Sequence, residues 1–578
     1  MSPKNTPHIT LRDAASATWL HFENPLKIIT ASSLDEILPA LREIESCVER
    51  RGCYAAGWIS YEAAPAFDEA FKTRPADGFP YLWFGLYPEP RRSRALPPPD
   101  AGYALEAWTP SVTRAAYDAA IAQIKAQIGR GETYQVNYTF RLRSKFTGSP
   151  WSLFVQMLQA QPVAYPAFLD SGRYAICCAS PELFFRLDGD KITCRPMKGT
   201  AHRGRTLAED EAQAEALKAS PKERAENVMI VDMLRNDLGR IARSGSVQVA
   251  GLFNVERYRT LWQMTSTVTA QATLPFSDLM AALFPCASIT GAPKVSTMRL
   301  IAELEDSPRK AYTGTIGFLA PGRRAQFNVA IRSVGIDRES GEAEYGVGSG
   351  VVWDSTAANE YTESLLKARA LTEPQPEFAL LETLRWTPTE GWFLREGHLK
   401  RLRDSAIYFD FPFDGPAVEA RLAAIAKTFA GSVRVRLLLH PDGQLTHEAF
   451  PLAVEDKPLR VKLASAPIND QDVFLFHKTT QREAYAKARA AQPDCDDVLL
   501  YNQRGELTES TIANLVVAME NNLVTPPVSC GLLAGTFRAA LLEQGLVTER
   551  IIQREDLARC TKIFLVNSVR GWMKVELC

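Results

Sequence analysis

The sequence predicts a multidomain protein in which an α/β part is followed by a separate α+β part. Its 578 residues exceed what one ordinary hydrophobic core supports, so more than one domain is expected. Across residues 111–370, apolar strand-like runs alternate with long helical patterns, which is typical of an α/β domain. Shorter strand and helix patterns follow in residues 378–578 and predict an α+β domain of their own.

Proline-containing stretches separate these parts. Residues 97–102 read PPPDAG and close an N-terminal region, 1–110, that is rich in short strand-like runs. Residues 371–377 read LTEPQPE; they follow a helical pattern, contain two prolines and lack periodicity, so we interpret them as a linker. The predicted order is therefore the N-terminal part, the domain 111–370, the linker, and the domain 378–578.

The composition is that of an ordinary globular protein, and it argues against several classes of partner. Hydrophobic residues make up 46% of the chain and charged residues 23%, and the formal net charge is −1. No basic stretch predicts a nucleic-acid or membrane partner, the N-terminus lacks the apolar run of a secretory signal, and no apolar run is long enough to span a bilayer. The ten cysteines are scattered without a C-x-x-C pair, as expected for reduced thiols in a cytoplasmic protein.

Two pairs of glutamates share a spacing that places each pair on one helix face. Glu223 and Glu226 follow a predicted helix start at Ser220, and Glu360 and Glu363 repeat the same three-residue separation. Each pair alone also fits a solvated helix face. Four carboxylates that converged in one cleft would repel one another, whereas a hard divalent cation such as Mg²⁺ would stabilise them.

Lys198, in the segment RPMKGT at residues 195–200, is a candidate nucleophile. An unperturbed lysine has a pKa of about 10.4, so only about 1 amine in 2,500 is neutral at pH 7. Burial or nearby positive charge must therefore lower the pKa of Lys198 before it can attack an electrophile. The alternative is that Lys198 only forms an ion pair with a carboxylate.

The region around these residues resembles the chorismate-utilising enzymes, because the family's motifs occur here in the family's order. They are the RPMKGT segment and the stretches 222–240, 287–294 (ASITGAPK), 327–332 (FNVAIR) and 348–355 (GSGVVWDS). The resemblance implies an α/β sandwich-type domain that binds chorismate and Mg²⁺. Aminodeoxychorismate synthases of this family carry lysine at position 198, whereas anthranilate synthases carry alanine. The lysine therefore implies amination to 4-amino-4-deoxychorismate, with an anthranilate-type synthase as the alternative.

The resemblance also implies a role for each matching residue. Glu182 would protonate the leaving hydroxyl as a general acid, and Lys198 would add to the ring before ammonia replaces it. Four glutamates would bind or support Mg²⁺, with Glu226 and Glu363 as ligands and Glu223 and Glu360 beside them. The implied substrate-binding residues are Thr290, Tyr312, Arg332, Gly348, Ser349 and Gly350.

No motif in the chain predicts an ammonia-producing site. A glutaminase of the usual kind needs a cysteine in a sharp G-x-C-x-G turn together with a partner histidine, and no cysteine here has that setting. The resemblance therefore implies that ammonia comes from a separate glutamine amidotransferase subunit.

The C-terminal domain resembles the fold-type IV pyridoxal phosphate (PLP) enzymes, which include aminotransferases and aminodeoxychorismate lyases. The matching stretches are 378–385, 396–402, 476–482, 507–514 and 533–538. The resemblance implies that Lys478 bonds to PLP, that Arg401 contacts its phosphate and that Glu509 pairs with its ring nitrogen. Thr536 and Ser568 would complete the phosphate site, with Phe537 giving backbone contacts only, because it replaces a hydroxyl residue. A homodimer is also implied.

These residues do not by themselves distinguish a lyase from an aminotransferase. Both reactions begin with removal of the proton on the substrate's Cα, with Lys478 as the base. Fusion to a synthase favours the lyase, because it would consume the product of the first domain. We therefore predict p-aminobenzoate, a folate precursor, and pyruvate as products, with a D-amino or branched-chain aminotransferase as the alternative.

Overall fold

The structure, a computed structural model, describes residues 7–372, 376–452, 457–520 and 522–578. The chain forms two compact units: the first is Met1–His202 with Ala214–Gln375, and the second is Arg203–Gln213 with Pro376–Cys578. A helix continues through the first two residues of the predicted linker, and residues 373–375 of that linker lie outside the described residues.

The first unit is built mainly from β-strands. The strands are β1 (His8–Asp13), β2 (Thr18–Phe22), β3 (Lys27–Ala31), β4 (Tyr54–Ile59), β5 (Leu82–Tyr87), β6 (Arg91–Ser93), β7 (Tyr103–Leu105), β8 (Thr109–Pro110), β9 (Gln135–Gly148), β10 (Ala167–Asp170), β11 (Tyr174–Cys178), β12 (Leu183–Asp188), β13 (Lys191–Arg195), β14 (Met197–His202), β15 (Gln248–Arg257), β16 (Leu261–Gln271), β17 (Gly291–Ala292), β18 (Thr315–Ala320), β19 (Arg324–Val329), β20 (Ser333–Asp337) and β21 (Glu342–Val351). The helices up to the end of this unit are α1 (Ile37–Arg51), α2 (Arg114–Gly129), α3 (Pro150–Ala160), α4 (Leu207–Ala219), α5 (Pro221–Gly239), α6 (Phe276–Leu283), α7 (Lys294–Leu304) and α8 (Ala357–Thr372).

These strands form two antiparallel sheets that both draw on the N-terminal region. The first sheet has the order β17-β9-β21-β20-β11-β10-β1-β2-β6, with β7 and β8 also paired to β9. The second has the order β14-β16-β13-β12-β19-β18-β4-β5-β3, with β15 paired to β16. Strands from residues 1–110 thus complete both sheets instead of forming a layer of their own.

Buried apolar side chains fill the space between the two sheets and under the helices that cover them. Trp58 and Trp83 stack with ring centroids 5.2 Å apart in the cluster shared by both sheets. Residues of α1, α5 and α6 cover the outer face of the second sheet, and residues of α2, α3 and α8 cover that of the first. This layering confirms the predicted α/β sandwich and follows from the apolar faces that each sheet must bury.

Helix α5 begins where the sequence predicts. The Ser220 side chain accepts a hydrogen bond from the Glu223 backbone N–H, and Pro221 stands in the first turn, where its missing N–H costs nothing. The buried residues Ile230, Val231 and Leu234 anchor the helix on the second sheet. The N-terminal half of α5 is thereby held firmly beside β14, the strand that carries Lys198.

The second unit contains two further sheets. Its strands are β22 (Leu380–Thr387), β23 (Gly391–Trp392), β24 (Val433–Leu439), β25 (Leu445–Pro451), β26 (Leu459–Leu463), β27 (Asp497–Tyr501), β28 (Leu507–Ser510), β29 (Asn514–Met519), β30 (Asn522–Thr525), β31 (Thr548–Glu549), β32 (Lys562–Asn567) and β33 (Gly571–Leu577). Its remaining helices are α9 (Arg395–Phe409), α10 (Gly415–Ala426), α11 (Glu483–Ala490) and α12 (Thr536–Glu543). The sheets have the orders β23-β22-β24-β25 and β28-β27-β26-β33-β32-β29-β30-β31.

Both sheets of the second unit carry helices, which fits the predicted α+β domain. Helices α9 and α10 pack on the four-stranded sheet through a buried cluster that includes Leu402 and Leu422. Strand β26 pairs in parallel with β27 and β33, so the larger sheet is mixed. Across the described ranges of both units, none of the helices combines the length and the apolar character needed to cross a bilayer.

Candidate active sites

One cavity of the first unit collects side chains from distant parts of the chain. It is lined by most of the residues predicted for chorismate and metal binding, namely Glu182, Lys198, Glu223, Glu226, Tyr312, Arg332, Gly348, Gly350, Glu360 and Glu363. The sequence expectation that the two glutamate pairs converge on one cleft therefore agrees with the fold.

Thr290 and Ser349 are the two predicted residues that do not line this cavity. The Thr290 hydroxyl is buried and donates to the Cys286 carbonyl oxygen at 3.2 Å. Ser349 lies between two lining glycines of β21, and successive side chains of a strand point to opposite faces. The Ser349 side chain is buried, so neither hydroxyl is exposed to the cavity.

Lys198 is partly buried, and its amine lies against the backbone of β21. A Cβ added at Gly350 would stand 3.0 Å from Lys198 Nζ and 2.4 Å from Gln135 Nε2. The absence of a side chain at this glycine thus leaves room for the amine and for the neighbouring amide. Burial lowers the pKa of Lys198, while Glu226 opposes that shift and Lys367 adds to it.

Two amide side chains hold the backbone of the lysine segment. Asn227 Nδ2 donates to the Lys198 carbonyl oxygen at 3.1 Å, and Gln263 Nε2 donates to the Gly199 carbonyl oxygen at 2.8 Å. Ser266 Oγ in turn donates to Asn227 Oδ1 at 2.5 Å. Sequence reasoning missed these residues, although Asn227 directly follows a predicted metal ligand.

Glu182 is buried at the wall of the same cavity. Ser288 Oγ donates to Glu182 Oε1 at 2.6 Å. Burial raises the pKa of Glu182 to about 7, and the Ser288 hydrogen bond and the Lys198 charge limit that rise. A carboxyl with this pKa is substantially protonated near neutral pH, as a general acid must be.

The four glutamates differ in their electrostatic surroundings. Burial raises the pKa of Glu223 and of Glu226. Burial also acts on Glu363, but Lys367, whose Nζ lies 2.7 Å from Glu363 Oε1, outweighs it and lowers the pKa. Among the described residues, no three His, Cys, Asp or Glu side chains form a group that could hold a metal ion. The assignment of Mg²⁺ to the four glutamates therefore stays a prediction.

Arg332 and Tyr312 are the remaining predicted substrate contacts. Arg332 Nη1 donates to Gln161 Oε1 at 2.9 Å, which orients the guanidinium at the cavity wall. The Tyr312 ring packs on Gly346, where a Cβ would stand 2.3 Å from the ring, and the Arg141 guanidinium lies 5.2 Å from its centroid. Both side chains are thus held in place by neighbours outside the predicted site.

A cavity of the second unit contains the predicted PLP residues. It is lined by Lys478, Arg401, Glu509, Thr536 and Ser568 together with Arg434, Arg436, Arg482, Tyr485 and Asn514. Phe537 does not line it, because its ring packs against Phe393 and Trp572. This packing agrees with the expectation that Phe537 contributes no side-chain contact to a phosphate.

Lys478 is partly buried and has cationic neighbours. Burial and the charge of Arg401 lower its pKa to about 8, while Glu382 acts in the opposite direction. The Leu381 backbone N–H donates to the Lys478 carbonyl oxygen at 2.9 Å, so β22 holds the backbone of the lysine. Such an amine is neutral far more often than a free lysine at neutral pH.

Glu509 is buried within a set of hydrogen-bond donors. The Tyr485 hydroxyl donates to Glu509 Oε1 at 2.7 Å, and Asn514 Nδ2 donates to Glu509 Oε2 at 3.0 Å. Burial raises the pKa of Glu509 to about 7, and the Tyr485 hydrogen bond limits this rise. The carboxyl is therefore fixed in position and can share a proton with a ring nitrogen.

Arg401 is held by a buried carboxylate instead of lying free. Its Nε and Nη2 donate to Glu382 at 2.8 and 2.7 Å, and His398 Nδ1 lies 2.6 Å from Glu382 Oε2. Burial would raise the pKa of Glu382, but Arg401 and His398 outweigh it and hold the pKa at about 2. His398 is buried, and it helps to orient the arginine through Glu382.

Two arginines that sequence reasoning missed also line this cavity. Arg434 and Arg436 lie two residues apart on β24 and therefore share one face of that strand. Arg436 Nη1 donates to Glu448 Oε2 at 3.3 Å. The signal was present in the segment VRVRLLL, where arginines alternate with apolar residues in a half-buried strand.

Two family profiles match the chain. One described as chorismate binding enzyme matches residues 6–373, and one described as amino-transferase class IV matches residues 379–578. Aminodeoxychorismate synthase component 1 of Bacillus subtilis (strain 168) is 38% identical over 281 residues, which are 48% of this chain and 58% of that protein. The chain thus spans about three fifths of the length of this relative.

Relatives with the rival activity match as well. Anthranilate synthase component 1 3 of Haloarcula marismortui is 33% identical over 390 residues, covering 58% of this chain and 77% of that protein. The crystal structure of anthranilate synthase component I from Streptococcus pneumoniae TIGR4 aligns with a TM-score of 0.53 and 24% identity, over 63% of this chain and 92% of that chain, which shows the fold alone. The profile match across residues 6–373 shows that the chain belongs to the family of chorismate binding enzymes, and residues 379–578 match the class IV aminotransferase profile.

Proposed function

We propose that the chain converts chorismate and ammonia to p-aminobenzoate and pyruvate, by amination in the first unit and elimination in the second. The proposal rests above all on Lys198, whose side chain lines the same cavity as Glu182 and the glutamate pairs. An anthranilate-type reaction needs no amine at this position. The lysine therefore favours 4-amino-4-deoxychorismate as the first product.

The donor set of the first cavity suits Mg²⁺. This ion takes one or two carboxylates and fills its shell with water and substrate oxygens, so a site short of three protein ligands is compatible with it. Glu226 and Glu363 would hold the ion, with Glu223 and Glu360 beside them. When bound, Mg²⁺ would neutralise a substrate carboxylate and fix its position.

Departure of the chorismate hydroxyl needs a proton, because hydroxide is a poor leaving group. Glu182 would supply that proton, and the Lys198 amine would form a bond to ring carbon C2 as the hydroxyl leaves C4. Ammonia would then bond to C4, and the bond between Lys198 and C2 would break. Arg332 would bind a carboxylate through its planar fork.

The donor set of the second cavity suits PLP, because an amine, a buried carboxyl, hydroxyl groups and guanidinium groups line it together. When bound, PLP would withdraw electrons from the Cα of an amino substrate. Lys478 would carry the cofactor and remove the Cα proton, and Glu509 would hold a proton at the ring nitrogen. The phosphate contacts would come from Arg401, Thr536, Ser568 and the backbone at Phe537.

Arg434 and Arg436 support elimination from a substrate with carboxylates. The intermediate 4-amino-4-deoxychorismate carries two of them, and guanidinium groups pair well with carboxylates. A branched-chain amino acid carries only one carboxylate, so two arginines at the substrate fit the intermediate with two carboxylates better. The D-amino or branched-chain aminotransferase therefore remains the second candidate.

We also propose a separate glutamine amidotransferase as the source of ammonia. The name component 1 of the Bacillus subtilis relative supports a second component. A cytoplasmic location and a homodimer formed through the second unit complete the proposal. Neither nucleic acid nor a membrane is proposed as a partner.

One assay tests both steps. The purified protein, loaded with PLP, receives chorismate, MgCl₂ and an ammonium salt, and the products are separated by chromatography. We expect p-aminobenzoate and pyruvate in equal amounts. Anthranilate would overturn the assignment of the first unit, and 4-amino-4-deoxychorismate that accumulates without pyruvate would overturn that of the second.

A further inference from the structure

We propose that Ser288 is a positioning residue of the first cavity, which fixes the Glu182 carboxyl so that its transferable proton is carried on Oε2. The inference rests on the proposed role of Glu182 as a proton donor. It adds a specific hydrogen-bond relay, Cys286 to Ser288 to Glu182, that sets which carboxyl oxygen accepts and which one donates.

The geometry of the relay is complete at both contacts. Ser288 Oγ lies 2.6 Å from Glu182 Oε1 and 3.2 Å from Cys286 Sγ. Both the serine and the glutamate line the cavity, and both are at least 95% buried. Within the described part of the chain, Ser288 gives the Glu182 carboxyl its one side-chain hydrogen bond.

The direction of each hydrogen bond follows from which of the three groups carries a proton. Burial raises the pKa of the Cys286 thiol to about 12, so the thiol keeps its proton and donates it toward Ser288 Oγ. The Ser288 hydroxyl hydrogen is then free to point at Glu182 Oε1. An oxygen that accepts this bond is not the protonated one, which leaves the mobile proton on Oε2.

Few charged groups compete with Ser288 at this carboxyl. Lys198 stabilises the ionised carboxyl through its charge, and the Met197 backbone contributes a further hydrogen bond. Cys286 and Tyr258 are the other titratable groups whose pKa the Glu182 charge raises, and the pKa of each lies well above neutrality. Loss of the serine hydroxyl therefore removes the main side-chain donor without exposing another titrating neighbour.

The expected consequence is a change in proton affinity, not a general loss of folding. A hydrogen bond to a charged acceptor stabilises the ionised form, so its removal raises the pKa of the acid by about one unit. Ser288→Ala should shift the Glu182 titration upward by about one pH unit. Ser288→Thr keeps the hydroxyl and should restore the midpoint of the native protein.

The experiment is an infrared titration of the full-length protein without substrate. The band of the protonated carboxyl that disappears in Glu182→Gln reports Glu182, and its midpoint is compared in the native protein, Ser288→Ala and Ser288→Thr. Ser152→Ala is the matched control, because Ser152 is also a buried serine that donates to a carboxylate, Asp100 Oδ1 at 3.1 Å, and it does not line the cavity. It should leave the Glu182 midpoint unchanged.

The outcomes separate this inference from the proposed function. An upward shift in Ser288→Ala that Ser288→Thr reverses supports the relay, whether or not the protein aminates chorismate. An unchanged midpoint, or an equal shift in the Ser152→Ala control, overturns it. Where amination is measured, the alkaline limb of its pH–rate profile should move upward by the same amount in Ser288→Ala.

Discussion

The lysines at the centres of the two cavities, Lys198 in the first unit and Lys478 in the second, have opposite electrostatic surroundings. Burial lowers the pKa of both amines. Around Lys198 the next contribution comes from Glu226 and opposes the shift, whereas around Lys478 it comes from Arg401 and adds to it. Desolvation thus lowers the pKa of the amine in both sites, and the neighbouring charges distinguish the two sites.

This difference matches the two proposed chemistries. An amine among carboxylates lies where a divalent cation and a substrate carboxylate would also bind. In the proposed amination, the bound cation would therefore supply positive charge close to the amine. An amine among arginines lies where phosphate and substrate carboxylates would bind, and its lowered pKa makes the neutral form more frequent than in a free lysine before any ligand arrives. The following experiments break or sharpen that comparison.

The largest effect is expected from removing the first amine. Lys198→Ala should reduce chorismate amination by about 10³-fold or more, because the proposed nucleophile is lost. The measurement is product formation from chorismate and an ammonium salt. The same variant, given 4-amino-4-deoxychorismate directly, should release pyruvate at the native rate; an undiminished amination rate would remove Lys198 from the mechanism.

Removing the second amine should abolish elimination and leave amination intact. Lys478→Ala should lower pyruvate release by about 10³-fold or more, because both the attachment point for PLP and the Cα base are lost. 4-Amino-4-deoxychorismate should accumulate from chorismate, and the visible absorption band of bound PLP should change. If p-aminobenzoate still formed at the native rate, the second cavity would not be the site of elimination.

Crowding the first amine should have an intermediate effect. Gly350→Ala places a Cβ 3.0 Å from Lys198 Nζ and 2.4 Å from Gln135 Nε2, so both groups must move. A displacement of this order should cost about 10²-fold in kcat for amination. Gly335→Ala is the control, because Gly335 lies in β20 with nothing within 4 Å of an added Cβ. Equal losses in the two variants would contradict the position assigned to the amine.

The smallest effect is expected from the arginines of the second cavity. Arg436→Gln removes a charge that would face a substrate carboxylate, so KM for 4-amino-4-deoxychorismate should rise about tenfold with kcat nearly unchanged. Arg460→Gln is the control, because Arg460 is an exposed arginine on β26 that pairs with Asp496 and does not line the cavity. A native KM in Arg436→Gln would remove this arginine from substrate binding.

Local sequence patterns predicted the secondary-structure elements better than they predicted which residues line the cavities. The start of α5 at Ser220 and the shared face of Glu223 and Glu226 depend on neighbours within one helical turn, and both agree with the fold. Phe537 and Thr290 show the limit. Each lies in a motif, but the structure turns the Phe537 ring into an aromatic cluster and buries the Thr290 hydroxyl against the backbone.

Two of the residues that sequence reasoning missed have partners far away in the chain. Ser288 meets Glu182 across 106 positions, and Asn227 holds the Lys198 backbone across 29. Both lie in stretches that carry the family resemblance, 287–294 and 222–240, but their residue types are common and the motifs do not indicate their partners. Only the pairing of strands and the packing of α5 on the second sheet bring them to a reactive group.

By itself, the order of chemically distinctive residues along the chain determined the two families, the two candidate lysines and the glutamate pairs, because helical spacing and motif order are local properties. The tertiary structure decided which of those side chains share a cavity, which are turned away from it, and which ordinary amides and hydroxyls hold them. It alone also decided the pKa of each group, because desolvation depends on everything packed around an atom and not on its neighbours in sequence.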